Sequence, residues 1–153
     1  MSRAKQIQIL ALGGSAGLLL GALAFQYIGG LSPCALCIWQ RWPHVVALVA
    51  GLGLVVPGPW AWLGALGAGA SGAIGVYHTG VERDWWQGPA SCTSGGDLSG
   101  LSAQELLDQI MAAPVVRCDD IAWELLGLSM ASWNAILSFG LAALWVLSTR
   151  LRG

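Results

Sequence analysis

Four cysteines carry the chemistry this chain is equipped for. Cys34 and Cys37 form a Cys-x-x-Cys pair within Ser32-Pro33-Cys34-Ala35-Leu36-Cys37-Ile38-Trp39-Gln40-Arg41, and Cys92 and Cys118 follow farther on. Ser32 suits a helix N-cap and Pro33 the first helical position, so both cysteines of the pair are expected in the first turns of a helix. Unpaired N–H groups and the positive end of the helix dipole favour a thiolate there. If the helix continues, Cys37, Arg41 and His44 fall on one face. A fixed positive charge one turn from a thiol stabilises its ionised form. Two other uses of the cysteines compete. Zinc would need four thiolates outside the cytoplasm, where oxidation competes, and no metal is expected. A static staple would need neither Arg41 nor a second cysteine pair on the same side.

The elements that must position these residues are apolar. The chain has 153 residues, 56% of them hydrophobic and 10% charged, which is too apolar for an ordinary soluble domain. No charged side chain occurs at 6–40, 42–81 or 125–149, and every Asp and Glu lies between Glu82 and Glu124. This pattern describes a single integral membrane domain, 1–153, with one polar loop. Net charge near zero gives no indication of nucleic acid. The even cysteine count and the extra-membrane positions suggest disulfides in an oxidising compartment.

Four spans are expected, at about 7–28, 38–56, 60–79 and 130–147. Ala22-Leu23-Ala24 imitates a signal-peptide cleavage site, but a retained helix is preferred, because Gly13, Gly17 and Gly21 form a small-residue row suited to helix contacts in lipid. Pro57-Gly58-Pro59 breaks the chain after the second span. Gly64, Ala68 and Gly72 suit close packing of the third. In the long loop, about 80–128, Ser102-Ala103-Gln104-Glu105 reads as a capping box opening an amphipathic helix through Leu106, Leu107, Ile110 and Met111, ended by Pro114. Ile121 to Leu126 reads as a second amphipathic piece on the membrane surface. Gly95-Gly96 gives the loop flexibility, and Trp85-Trp86 suits lipid anchoring. Arg3, Lys5, Arg150 and Arg152 place both termini in the cytoplasm, so both cysteine groups lie outside. Trp39, Trp42 and Trp133 then fall near the outer interface, and Trp60, Trp62 and Trp145 near the inner one. The expected fold is therefore an all-α membrane protein, a four-helix transmembrane bundle whose long outer loop carries short amphipathic helices.

Cys34-Ala35-Leu36-Cys37-Ile38-Trp39-Gln40-Arg41 resembles the Cys-x-Leu-Cys-x-x-x-Arg signature of the DsbB family of bacterial disulfide bond formation proteins, and the order of elements is similar over nearly the whole chain. The resemblance implies a bacterial inner-membrane enzyme, a protein dithiol:quinone oxidoreductase with periplasmic cysteines. A periplasmic thioredoxin-fold oxidase of the DsbA kind would attack a Cys92–Cys118 disulfide at Cys92. Cys118 would exchange with Cys34, freeing Cys37 as a thiolate beside a bound quinone, ubiquinone or menaquinone, drawn from the membrane pool. Arg41 would stabilise the charges, and His78 would lie near the quinone unless it is an ordinary interfacial histidine. His44 shares the Cys37 face and is a further candidate at the quinone, or a packing residue. Gln40 stands where some family members have an acid. Two other readings are a relative of vitamin K epoxide reductase, whose Cys-x-x-Cys lies late in the chain, and a non-enzymatic four-span scaffold with a stapled loop.

Overall fold

A computed structural model describes residues 1–56, 58–89, 92, 102–112 and 116–151. The protein is mostly helical. Helix α1 spans Arg3–Tyr27, α2 Ala35–Val49 with a 3-10 continuation Ala50–Leu54, α3 Trp60–Glu82, α4 Ala103–Ala112 and α5 Met130–Arg150. Helix α3 packs against α2 and α5, and α1 packs against α5 and α2. Among the described residues, α1 and α5 are long and apolar enough to cross a membrane. Helix α2 is only 15 residues long before its 3-10 turn.

The close packing expected of α3 is present. A Cβ on Gly64 would lie 2.4 Å from the Trp145 ring, and one on Gly67 would lie 2.6 Å from the carbonyl oxygen of Pro43. Trp145 is fully buried in a cluster with Ala11, Ala50, Ala61 and Ala68, so it is a core residue rather than an inner-interface anchor. The glycine row of α1 behaves differently from expectation. An added Cβ at Gly13, Gly17 or Gly21 meets nothing within 4 Å, whereas one at Gly14 would strike Leu141. Gly17 and Gly21 border open space, and the helix contact is made by the residue beside the row.

The start of α2 also departs from the sequence reading. Its N-cap is Cys34, not Ser32, and the Cys34 sulfur accepts a hydrogen bond from the Cys37 backbone N–H at 3.2 Å. A sulfur replaces the expected hydroxyl because the chain stays extended through Cys34 and turns helical only at Ala35. Helix α3 runs three residues past its expected end. Trp86 then folds back, its ring over Gly80 and stacked on Tyr77 at 6.0 Å, with its Nε1–H donating to the Tyr77 carbonyl at 2.8 Å. This return carries Gly88 and Cys92 against Val81. The capping box is formed, with the Ser102 N–H and hydroxyl donating to Glu105 and the Glu105 N–H donating back to Ser102 Oγ. Pro57, Gly95-Gly96, Pro114 and Arg152 lie outside the described residues.

No helix forms at Ile121 to Leu126. Strand β1, Glu124–Leu125, instead pairs antiparallel with β2, Leu128–Ser129, across Leu126 and Gly127, both at positive φ. Two consecutive left-handed residues make the two-residue hairpin turn that matches strand twist. Turn geometry at Gly127 outweighs the helical spacing of the apolar residues before it. The hairpin is pinned to the end of α3, where Arg83 donates to the Gly127 carbonyl at 3.1 Å and the Ser129 hydroxyl donates to Glu82.

Gly64→Ala is expected to destabilise the protein by about 1–3 kcal/mol through overpacking against Trp145. Gly13→Ala, in open space, is expected to be neutral or to stabilise by about 0.5–1 kcal/mol through helix propensity. Unfolding in detergent measures both, and equal effects would contradict the packing described.

Candidate functional site

The four cysteines meet above the end of α3. Cys92 and Cys118 are joined by a disulfide, and Cys34 and Cys37 are free thiols. Cys34, Leu36, Val81, Cys92 and Cys118 form one buried cluster. Leu36 is fully buried, which contributes about 1.5–3 kcal/mol to holding α2 in register. Cys34 Sγ, His78 Nε2 and Cys118 Sγ all lie within 4.8 Å of one another. Their ligand types could suit a metal, but a sulfur already bonded to Cys92 is not the thiolate that a metal binds. The same disulfide removes the set of four thiolates that zinc would require.

Within the pair, the Cys34 thiol donates to Cys37 Sγ at 2.8 Å. That hydrogen bond is the largest cause lowering the Cys37 thiol to about 7; its backbone counterpart and the Arg41 charge add to it, against burial and Glu82. The same bond, with burial, pushes Cys34 strongly up. The pair therefore holds one proton on Cys34 and releases the other from Cys37. Both thiols lie ahead of the span expected from Ile38.

Cys37, Arg41 and His44 line one cavity of about 380 Å³, as the shared face required. Apolar walls come from Leu18, Phe25, Trp123, Met130 and Leu137, and the floor along α1 is Gly17 and Gly21. Arg41 reaches across to α1, donating to Gln26 Oε1 at 2.6 Å and to the Ala22 carbonyl at 3.5 Å, while its Nε has no partner. His44 is 2% exposed and is bonded to Ser138 Oγ and Asn134 Oδ1 of α5, with Nδ1 unpartnered. His78 lines the cavity too and is 3% exposed. Its Nε2 is 3.5 Å from Cys34 Sγ and 3.8 Å from Glu82 Oε1, and its Nδ1 is 2.8 Å from Gln40 Nε2.

Sequence reasoning missed Glu82 and Asn134 and gave Gln40 no task. Signals existed for all three. Glu82 lies one helical turn beyond His78, and Gln40 and Asn134 are polar side chains inside otherwise apolar spans, where such residues are functional candidates.

Known proteins resemble this chain over most of its length. The family "Disulfide bond formation protein DsbB" matches residues 4–148. Proteins named Disulfide bond formation protein B are similar over most of the chain. That of Dechloromonas aromatica is 33% identical over 144 residues, covering 88% of this chain and 85% of the relative. That of Saccharophagus degradans is 35% identical over 156 aligned positions, covering 93% and 90%. That of Aeromonas salmonicida is 32% identical over 120 residues, covering 74% and 69%. No solved structure matches. With the family matching residues 4–148 and relatives 33–35% identical over most of both chains, the chain belongs to the DsbB family of disulfide bond formation proteins.

Proposed function

We propose that the protein is a membrane thiol:quinone oxidoreductase that reoxidises a periplasmic DsbA-like dithiol oxidase. The observation that carries the reading is the gathering of both cysteine pairs, with Cys34 and Cys118 sulfurs within 4.8 Å, at the mouth of a cavity lined by Cys37 and Arg41. A partner thiolate attacks Cys92 Sγ and releases Cys118 as a thiolate. Cys118 attacks Cys34 of a Cys34–Cys37 disulfide and releases the Cys37 thiolate. The partner's second thiolate then displaces Cys92, and Cys92 attacks Cys118, releasing Cys34. Each step breaks one S–S bond and forms one, and the partner leaves oxidised. The end state is the one described above, with Cys92–Cys118 bonded and Cys34–Cys37 reduced.

The cavity fits a quinone head group. Its walls are largely apolar, the α1 glycines leave room beside it, and Arg41 brings an orphaned donor suited to a carbonyl oxygen. The His44 Nε2–H donates to Asn134 Oδ1, which leaves Nδ1 as an unpartnered acceptor suited to a quinol hydroxyl. A bound quinone supplies a sink for two electrons and two protons, so that the Cys34–Cys37 disulfide re-forms. Arg41 orients and balances charge, and Cys37 is the sulfur that carries negative charge at neutral pH. The charge map supports four spans with both termini cytoplasmic, α2 with its 3-10 turn and α3 completing the bundle, and membership of the family supports the bacterial inner membrane as the location.

Purified protein is expected to couple oxidation of a DsbA-like dithiol to quinone reduction, and each Cys→Ala change to abolish it. A partner lacking its second cysteine attacks the Cys92–Cys118 disulfide but cannot displace Cys92, and is expected to be trapped as a mixed disulfide at Cys92; an adduct mapping to Cys34 would contradict the order of transfer. In spheroplasts, reduced Cys92 and Cys118 are expected to react with an impermeant maleimide while tags at either terminus stay protected from protease, and an externally cleaved terminus would refute the topology. Alkylation of Cys37 is expected to rise with pH through about 7. Arg41→Met removes a positive charge that favours the thiolate, so its profile moves to higher pH, and quinone turnover falls roughly ten- to hundredfold, the equivalent of about 1–3 kcal/mol. Unchanged quinone use in Arg41→Met would leave Arg41 as a membrane anchor only.

A further inference from the structure

Two backbone carbonyls fix a chain of proton positions across the bundle. The Ser71 carbonyl lies 3.4 Å from one end of the Asn134 amide, and a carbonyl only accepts, so that end is Nδ2. Asn134 Nδ2 also donates to Gln40 Oε1 at 2.7 Å. The other end of Gln40 faces the Leu36 carbonyl at 3.3 Å, which identifies it independently as the amide nitrogen. That nitrogen donates to His78 Nδ1 at 2.8 Å. Nδ1 is therefore the acceptor nitrogen of a neutral imidazole, and the ring proton sits on Nε2. Nε2 faces Cys34 Sγ.

We infer that Gln40 is a positioning residue that locks His78 in the Nε2–H tautomer, so that the imidazole serves the Cys34–Cys118 exchange as a hydrogen-bond donor to Cys34 and not as a base. The inference rests on the exchange proposed above and deepens it. In the exchange the Cys34 thiolate attacks Cys118 Sγ, the Cys118–Cys92 bond breaks, and Cys92 leaves as a thiolate; the reverse step expels Cys34. A donor aimed at Cys34 stabilises its thiolate in both directions. It gives a better leaving group, and as attacker it gains more in thiolate fraction than it loses in nucleophilicity, since nucleophilicity follows thiol basicity with a slope of only about 0.4–0.5. Among the described residues, the other groups facing this spot are the Cys118 backbone carbonyl, a second acceptor for the ring N–H, Cys37 on α2 and Glu82 on α3, with Arg41, Arg117 and Asp120 on the walls of the adjoining cavity. Glu82 Oε1, 3.8 Å from Nε2, is the carboxylate placed to share that proton.

The chain has two histidines, so ¹⁵N-histidine labelling of the full-length protein in detergent gives a simple spectrum, with His78 assigned by its loss in His78→Gln. The expected signature is a pyridine-type Nδ1 and a pyrrole-type Nε2. Gln40→Met removes the donor without adding charge, and is expected to leave His78 averaging between tautomers. The exchange is read in a Cys37→Ala background, where the single thiol moves from Cys34 to Cys92 and is captured there by maleimide. Gln40→Met is expected to slow capture about three- to tenfold at neutral pH and to shift the rate–pH profile upward. A pyridine-type Nε2 in the unsubstituted protein overturns the inference, as does an unshifted profile in Gln40→Met. Both readouts run without quinone or partner, so failure of quinone reduction would sink the proposed function while leaving this result standing.

Discussion

Close approach of α3 to its two neighbours is the constraint on which the rest depends. Gly64 and Gly67 bring its backbone against Trp145 and against the α2 backbone at Pro43 and Ala47. Only at that spacing can the Ser71 hydroxyl donate to the Gln40 carbonyl at 2.9 Å and also meet Asn134. A polar group buried in an apolar bundle costs several kcal/mol if left unpaired, so these side chains must be bonded to one another. Small residues thus set the distance, and the distance permits a satisfied polar network between α2, α3 and α5. That network holds His78 beneath Cys34.

The site is also shaped from outside the bundle. Trp86 folding onto Gly80 returns the chain toward α3, and the hairpin fixed by Arg83 and Glu82 returns it again after Cys118. Phe25 of α1 packs on Trp123 at 5.2 Å, and Trp133 donates to the Leu125 carbonyl, so the loop's second half is tied to α1 and α5. Between these returns the disulfide sits buried against α2 and α3. In the proposed exchange that bond would be reached by a partner on one side and by Cys34 on the other, and it lies beside Cys34 at the outer end of α3.

Much of this was legible in the sequence. Apolar runs bounded by turn residues, as at Gly29-Gly30 and Pro57-Gly58-Pro59, gave the long helices to within a few residues, because hydropathy is additive along the chain. The cysteine grouping and the shared face of Cys37, Arg41 and His44 followed from spacing alone. What was not legible depends on neighbours distant in sequence. The α1 glycines look like a contact row, yet Gly17 and Gly21 border a cavity, because periodicity shows which residues align and not what faces them. Trp145 passed for an interface residue because tryptophan suits both core and interface. The hairpin hid behind a helical spacing of apolar residues, which a two-residue turn overrode. Gln40 and Asn134 were visible only as polar exceptions until their partners were known.

The placement of Cys37 in the first turn of α2 has an energetic consequence for the direction of electron flow. Its negative charge, when reduced, sits where the helix exposes N–H groups and the positive end of its dipole, with Arg41 one turn on. Closing the Cys34–Cys37 disulfide discards that stabilisation. A dithiol whose reduced form is favoured in this way makes a more strongly oxidising disulfide, as in other thiol oxidases with a stabilised thiolate. In the proposed exchange, the start of one short helix would therefore raise the reduction potential of the pair and draw electrons toward it from any less oxidising dithiol.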